Sequence, residues 1–213
     1  MTQKTTKGLF HPCYFATIAQ YSLLVKCAQF SFEIHDHYQK QTYRNRCFIY
    51  AQQGRQHLNV PVKRSSEGKQ ITKNVKIDYS ENWQQQHFRT IKTAYNTSPF
   101  FEFFEDDLLK IYSKKQLFLL DLNLETHQFV MSCLDHHTPY NFTESYENQK
   151  VEFDFRELIN SKKKMNYSFE EYPQNFVSAN EFIPNLSILD LLFMEGPQAF
   201  SYLLSTHFDT ETL

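Results

Sequence analysis

Apolar and polar positions in the first third of the chain fall into short runs with changing period. The run GLFHPCYF, Gly8–Phe15, reads as a strand entering a proline-marked turn. In TIAQYSLLVKCAQ, Ile18, Tyr21, Val25 and Ala28 recur at helical spacing. FSFEIHDH then alternates, with Phe30, Phe32 and Ile34 on one face and Glu33, His35 and His37 on the other. Strand, helix and strand within about thirty residues predict a βαβ unit. YRNRCFIY and HLNVPVK read as two further strands joined by AQQGRQ, a hairpin. SSEGKQ reads as a loop, and ITKNVKIDY as one more strand, with Lys73 out of pattern.

Beyond residue 80 the period becomes helical. Trp83, His87, Ile91, Ala94 and Tyr95 share one stripe, and Phe100, Phe104, Leu108 and Ile111 another, with Pro99 expected at a first helical position. QLFLLDLNLETHQFVMSCL is a third helix, its front half open to a strand reading. DHHTPYNFTESYENQ is polar and punctuated, a loop or boundary, and NSKKKMN is a solvated charge run. Ser187, with Asp190 three residues on, marks a helix N-cap, and Gly196-Pro197 divides the last helical segment. The pattern predicts an α/β (or α+β) chain. One domain spans 1–213, sheet-rich over 8–80, helical over 81–135, and a loop with C-terminal helices over 136–213.

Composition narrows the function classes. Aromatics make up 16% of the 213 residues, enough for a substantial core. Four glycines leave no phosphate-cradling glycine loop. A net charge of −2 gives no electrostatic footprint for nucleic acid. No run reaches the ~18 apolar residues of a spanning helix, and the N-terminus has no apolar core of a secretory signal. Cys13, Cys27, Cys47 and Cys133 show no paired spacing and read as free thiols, so the expected address is the cytoplasm.

The ionisable residues concentrate in EIHDHYQKQTYRNRC, Glu33–Cys47. On a strand, Arg44 and Arg46 share a face, and with Lys40 upstream they form a forked clamp for a phosphate or carboxylate; the other reading is a solvated face paired to acids. His35 and His37, with His11 as a third nitrogen, offer a zinc site or simply a polar strand end. Cys13 is a candidate nucleophile if its turn opens a helix, and otherwise a small buried thiol. Trp83 and His87, four apart, are core residues or a stacking platform with a base, for which Asp36 is a partner. Ser187 suits capping better than catalysis.

The ordered set HPCYF…IAQY, a strand ending in HD, QKQTYRNR, LNVPVK and W…H…TIKTAY…SPFF resembles the WbqC-like family over residues 9 to about 125. FIPNLSILDLLFMEGPQAFSYL resembles the C-terminal signature of one of its branches. His11 stands where many members have Gln, and Gln20 where many have Gly. The matching positions are His11, Pro12, Tyr14, Asp36, Lys40, Arg44, Asn45, Arg46, Trp83 and His87. The resemblance implies a role in surface-polysaccharide biosynthesis, with acyl or aminoacyl (glycine) transfer onto an amino sugar or nucleotide sugar. The alternatives are a non-catalytic sugar-nucleotide-binding or partner protein and a Cys- or metal-dependent hydrolase-like enzyme. In the transferase reading, Lys40, Arg44, Arg46, Trp83 and Tyr14 bind substrate. His11, His87 and Asp36 serve proton transfer, and Asn45 donates to the oxyanion. The expected partners are a small-molecule activated donor and a sugar acceptor. No cofactor, metal or nucleic acid is implied.

Overall fold

The computed structural model describes residues 7–64, 68–146, 153–162, 167–176 and 181–208. The loop expected at 65–70, the segment 135–149 and the charge run at 160–166 lie partly outside them.

The βαβ unit is present. Strand β1 (Lys7–Phe10) leads to helix α1 (Ile18–Leu24), whose Thr17 cap accepts from the Gln20 amide, and then to β2 (Gln29–Phe32), parallel to β1. The hairpin follows as β3 (Arg46–Ala51) and β4 (Gly54–Asn59). Gly54 takes φ +92° just after the two-residue connection, a conformation open to glycine. Three helices come next: α2 (Trp83–Tyr95), α3 (Phe101–Ser113) and α4 (Leu119–Cys133). Then come β5 (Tyr140–Phe142), β6 (Phe153–Asp154), β7 (Tyr167–Ser168), α5 (Ile188–Glu195), α6 (Ala199–Ser205) and β8 (His207–Phe208), which pairs antiparallel with β7.

The main sheet has the order β5-β2-β1-β6, and every pair in it is parallel. All four carboxyl ends therefore lie along one edge. Polar residues follow each strand there: His11 after β1, Glu33 after β2, Thr143 after β5, and Arg156 two residues beyond β6. The chain runs from β1 to β2 in one direction, while β6 joins β1 on the other side. Open parallel sheets bind ligands at such a reversal, outside the carboxyl ends.

Several expectations are corrected. β2 stops at Phe32, so Glu33, His35 and His37 do not share a strand face, and Glu33 is fully buried. Residues 71–79 form a short 3₁₀ turn over Thr72–Asn74 flanked by isolated bridges, not a strand. The polar segment after Asp135 supplies β5, because the edge of β2 satisfies its backbone groups. α3 begins at Phe101 with Phe100 as its cap, leaving Pro99 outside. The front of α4 is helical.

The core is one continuous apolar cluster reaching from β1 and β2 through α1, α2 and α3 to α5. Helix α5 is buried along Ile188–Met194, apolar but for Asp190, whose carboxylate accepts from the Tyr95 and Tyr172 hydroxyls and the Gln174 amide. Ser187 caps it, accepting from the Leu189 amide and donating to the Phe15 carbonyl at 2.9 Å. Gly196, at φ +49°, opens a 3₁₀ turn that separates α5 from α6, where the Gly-Pro break was expected.

Candidate functional site

The turn after β1 and the loop between β2 and β3 converge at the carboxyl edge of the sheet. Arg44 is 0% exposed, and a buried guanidinium requires a counter-ion. Asp36 supplies it, in direct contact with Arg44 Nη2. The same nitrogen donates to His11 Nε2 at 3.2 Å, and His11 Nδ1 faces the Glu33 carbonyl at 3.3 Å. Nδ1 is therefore the protonated nitrogen, since its neighbour is an acceptor, and Nε2 accepts. Thr72 donates to the other Asp36 oxygen at 2.6 Å. Burial and then the Arg44 charge push the His11 pKa well below its ordinary value, so the ring is neutral at pH 7. Burial pushes the Asp36 carboxyl up, while Arg44 and Thr72 pull against it.

A second carboxylate lies beside this group. Glu33 accepts from Thr143 at 3.0 Å and from the His35 amide at 2.8 Å, and lies 3.6 Å from Arg156. Arg156 in turn grips Asp154 at the end of β6. Thr72, Thr143 and Arg156 carry no motif in sequence, and Glu33 only opens the polar run. Glu33, Thr143 and Arg156 join the group because parallel pairing aligns the strand ends, and Thr72 joins because its amide and hydroxyl both donate to Asp36.

A hydrogen-bonded aromatic group adjoins the turn on its helical side. His87 Nδ1 lies 3.0 Å from the Tyr14 hydroxyl, which also contacts the Tyr112 hydroxyl. Burial lowers the His87 pKa to about 4, against a hydrogen bond to the Asn59 carbonyl. Trp83 packs edge-on to His87 at 5.1 Å. Phe15, next to Tyr14, is fully buried at φ +39°, a costly conformation for a bulky residue that the packing around it imposes.

The expected clamp is not assembled as drawn. Residues 40–45 turn instead of extending, with Gln41 at φ +62°, so Arg44 and Arg46 do not share a strand face. Lys40 is exposed, Arg44 points inward to Asp36, and Arg46 is half-buried at the start of β3. Among the described residues no carboxylate pairs with Arg46. Asn45 is also redirected. Its amide nitrogen faces two acceptors, the Val60 carbonyl at 2.9 Å and Asn59 Oδ1 at 3.1 Å. It therefore offers a free acceptor, not the donor an oxyanion needs.

Five buried side-chain atoms among the described residues have no hydrogen-bond partner in the protein: Arg44 Nε, Asn45 Oδ1, Arg46 Nε, Trp83 Nε1 and Asn123 Oδ1. Four belong to residues singled out in the sequence. The fifth, Asn123, donates to the Arg44 carbonyl at 2.8 Å and the Pro12 carbonyl at 3.1 Å, bracing both turns. Sequence reasoning missed Asn123, although a signal existed. Asn123, Thr126 and His127 are polar residues on the buried stripe of α4.

Cys13 is no reactive thiol. It lies five residues ahead of Ile18, the first residue of α1, and burial raises its pKa to about 12. All four cysteines are free. His11, His35 and His37 do not converge, and among the described residues no three His, Cys, Asp or Glu side chains are placed to hold a metal ion.

A sequence profile of the WbqC-like protein family matches residues 11–166 and, in a second segment, 148–202. The chain belongs to the WbqC-like family. No curated protein and no solved structure matches it. The two matched segments of this WbqC-like chain take in both halves of the buried group, from His11 to Asn123, and the capped helix α5. Among the described residues, no helix is long and apolar enough to cross a membrane.

Proposed function

We propose that this WbqC-like chain is an acyl- or aminoacyl (glycine)-transferase of the cytoplasm. Its acceptor is an amino sugar or nucleotide sugar destined for surface polysaccharide. The observation that supports this is the set of unsatisfied buried donors and acceptors on Arg44, Asn45, Arg46, Trp83 and Asn123. Proteins rarely leave such groups without partners, and because each of these atoms is shielded from solvent, a polar ligand supplies them as the side chains over them part. Arg46 is the cation for the phosphates of an activated donor. The acceptors on Asn45 and Asn123 suit the amine and hydroxyl groups of a sugar, and Trp83 its apolar face. In the reaction the acceptor nitrogen bonds to the acyl carbon, the bond to the donor's leaving group breaks, and the amine proton passes to neutral His11. Tyr14, Asp36, Arg44 and His87 hold these groups in place.

A melting-temperature screen of nucleotide-linked amino sugars, acyl donors and free nucleotides tests the reading. A nucleotide sugar or acyl donor should raise the melting temperature of the wild type but not that of Arg46→Ala. His11→Gln puts a neutral amide where the imidazole stands and has no basic nitrogen; it should retain the shift and lose turnover. Unaltered turnover in His11→Gln removes the base, and an unaltered shift in Arg46→Ala removes the clamp.

A second reading, a non-catalytic sugar-nucleotide-binding protein, is favoured by one contact set. Both His11 nitrogens already have partners, Glu33 and Arg44. Ligand-induced stabilisation of the wild type without transfer to any acceptor would select it.

A further inference from the structure

A cleft of about 760 Å³ opens between the β3–β4 hairpin and α2, lined by none of the residues of the buried group. Arg55, Arg89 and His57 line it, with three glutamines of the hairpin and the hydroxyls of Thr90 and Thr93. Among the described residues, no aspartate or glutamate lines it. In a chain with 24 acidic residues against 22 basic ones, a cleft with two guanidiniums and no carboxylate is a local departure from the overall balance.

Arg55 is also held in position. Its guanidinium lies 3.6 Å over the Phe48 ring and donates to the Tyr43 hydroxyl at 3.2 Å. A guanidinium fixed by stacking loses less freedom when it takes up a ligand. Arg89 projects from the exposed side of α2, and Phe176 contributes an apolar wall. The volume is that of a small-molecule site and exceeds what a bare phosphate fills.

We propose that this cleft binds a phosphate monoester of a small polar molecule. Arg55 and Arg89 take the phosphate, and the glutamine and threonine side chains take the hydroxyl-bearing body. The site is independent of the transfer reading above and stands if that reading fails.

Calorimetric titration tests it, with four probes: glucose 1-phosphate, adenosine monophosphate, inorganic phosphate and glucose. One or both monoesters should bind saturably, inorganic phosphate more weakly, and glucose not at all; the tighter monoester identifies the body preferred. Arg89→Gln, an exposed substitution, should weaken the monoester about tenfold, the loss of one charge-assisted hydrogen bond. Thr93→Trp should block the cleft, and Arg46→Ala should leave this binding unchanged. The proposal is overturned if glucose binds as well as its phosphate, or if neither monoester saturates. It also falls if Arg89→Gln and Thr93→Trp both bind like the wild type, or if Arg46→Ala alone abolishes binding.

Discussion

Arg44 brings a permanent charge to a position with no solvent exposure, and Asp36 is its counter-ion. Removing either partner strands the other. Arg44→Ala should therefore cost roughly 3–5 kcal/mol of stability, read as a lower urea midpoint. Arg44→Met combined with Asp36→Leu should be less destabilising than either single change, because no uncompensated charge remains. If the double variant is as unstable as the sum of the singles, the pair does not act as a unit. Arg44, Asn45 and Arg46 stood out in sequence as a dense polar run. Their directions were not legible there, because a turn at 40–45 and a strand present the same residues to opposite environments.

At the scale of elements, caps and breaks were the most readable features. Ser187 and Gly196 act by local chemistry that neighbouring residues define. A Cβ at Gly196 would lie 2.5 Å from the Phe100 ring while the backbone stays at φ +49°. Gly196→Ala should lower stability by about 1–3 kcal/mol through strain and overpacking together, measured as a fall in melting temperature. A melting temperature equal to wild type would mean that the α5–α6 junction tolerates a different turn. Ser187→Ala should lose about 1–2 kcal/mol with the cap. Strand β5 was unreadable for the opposite reason. Its three residues sit in polar surroundings and become a strand by pairing with β2, more than a hundred residues earlier.

Across the molecule, His87 and His127 are both buried neutral, with pKa values lowered by burial to about 4 from 6.5. Unfolded, each takes up a proton near pH 6.5; folded, neither does until about pH 4. The unfolded state therefore binds more protons in that window, and stability falls as pH drops through it, by about 3 kcal/mol per group at the lower end. Urea midpoints should decline from pH 6.5 to 4, and His127→Gln should shrink the decline; an unchanged decline would show that His127 does not stay neutral in the folded state. The sequence by itself determined the α/β class, the βαβ opening, the hairpin, the helices and the run of residues around Arg44, because periodicity, capping and local composition act over a few positions. Only the tertiary structure decided that Thr72, Asn123 and Arg156 join that run, that Glu33 turns inward to Thr143 and Arg156, that Cys13 is inert, and that Arg55 and Arg89 line one cleft. Parallel pairing aligns strand ends that lie far apart in the chain, and burial sets which charges need partners; neither acts over a few neighbouring positions.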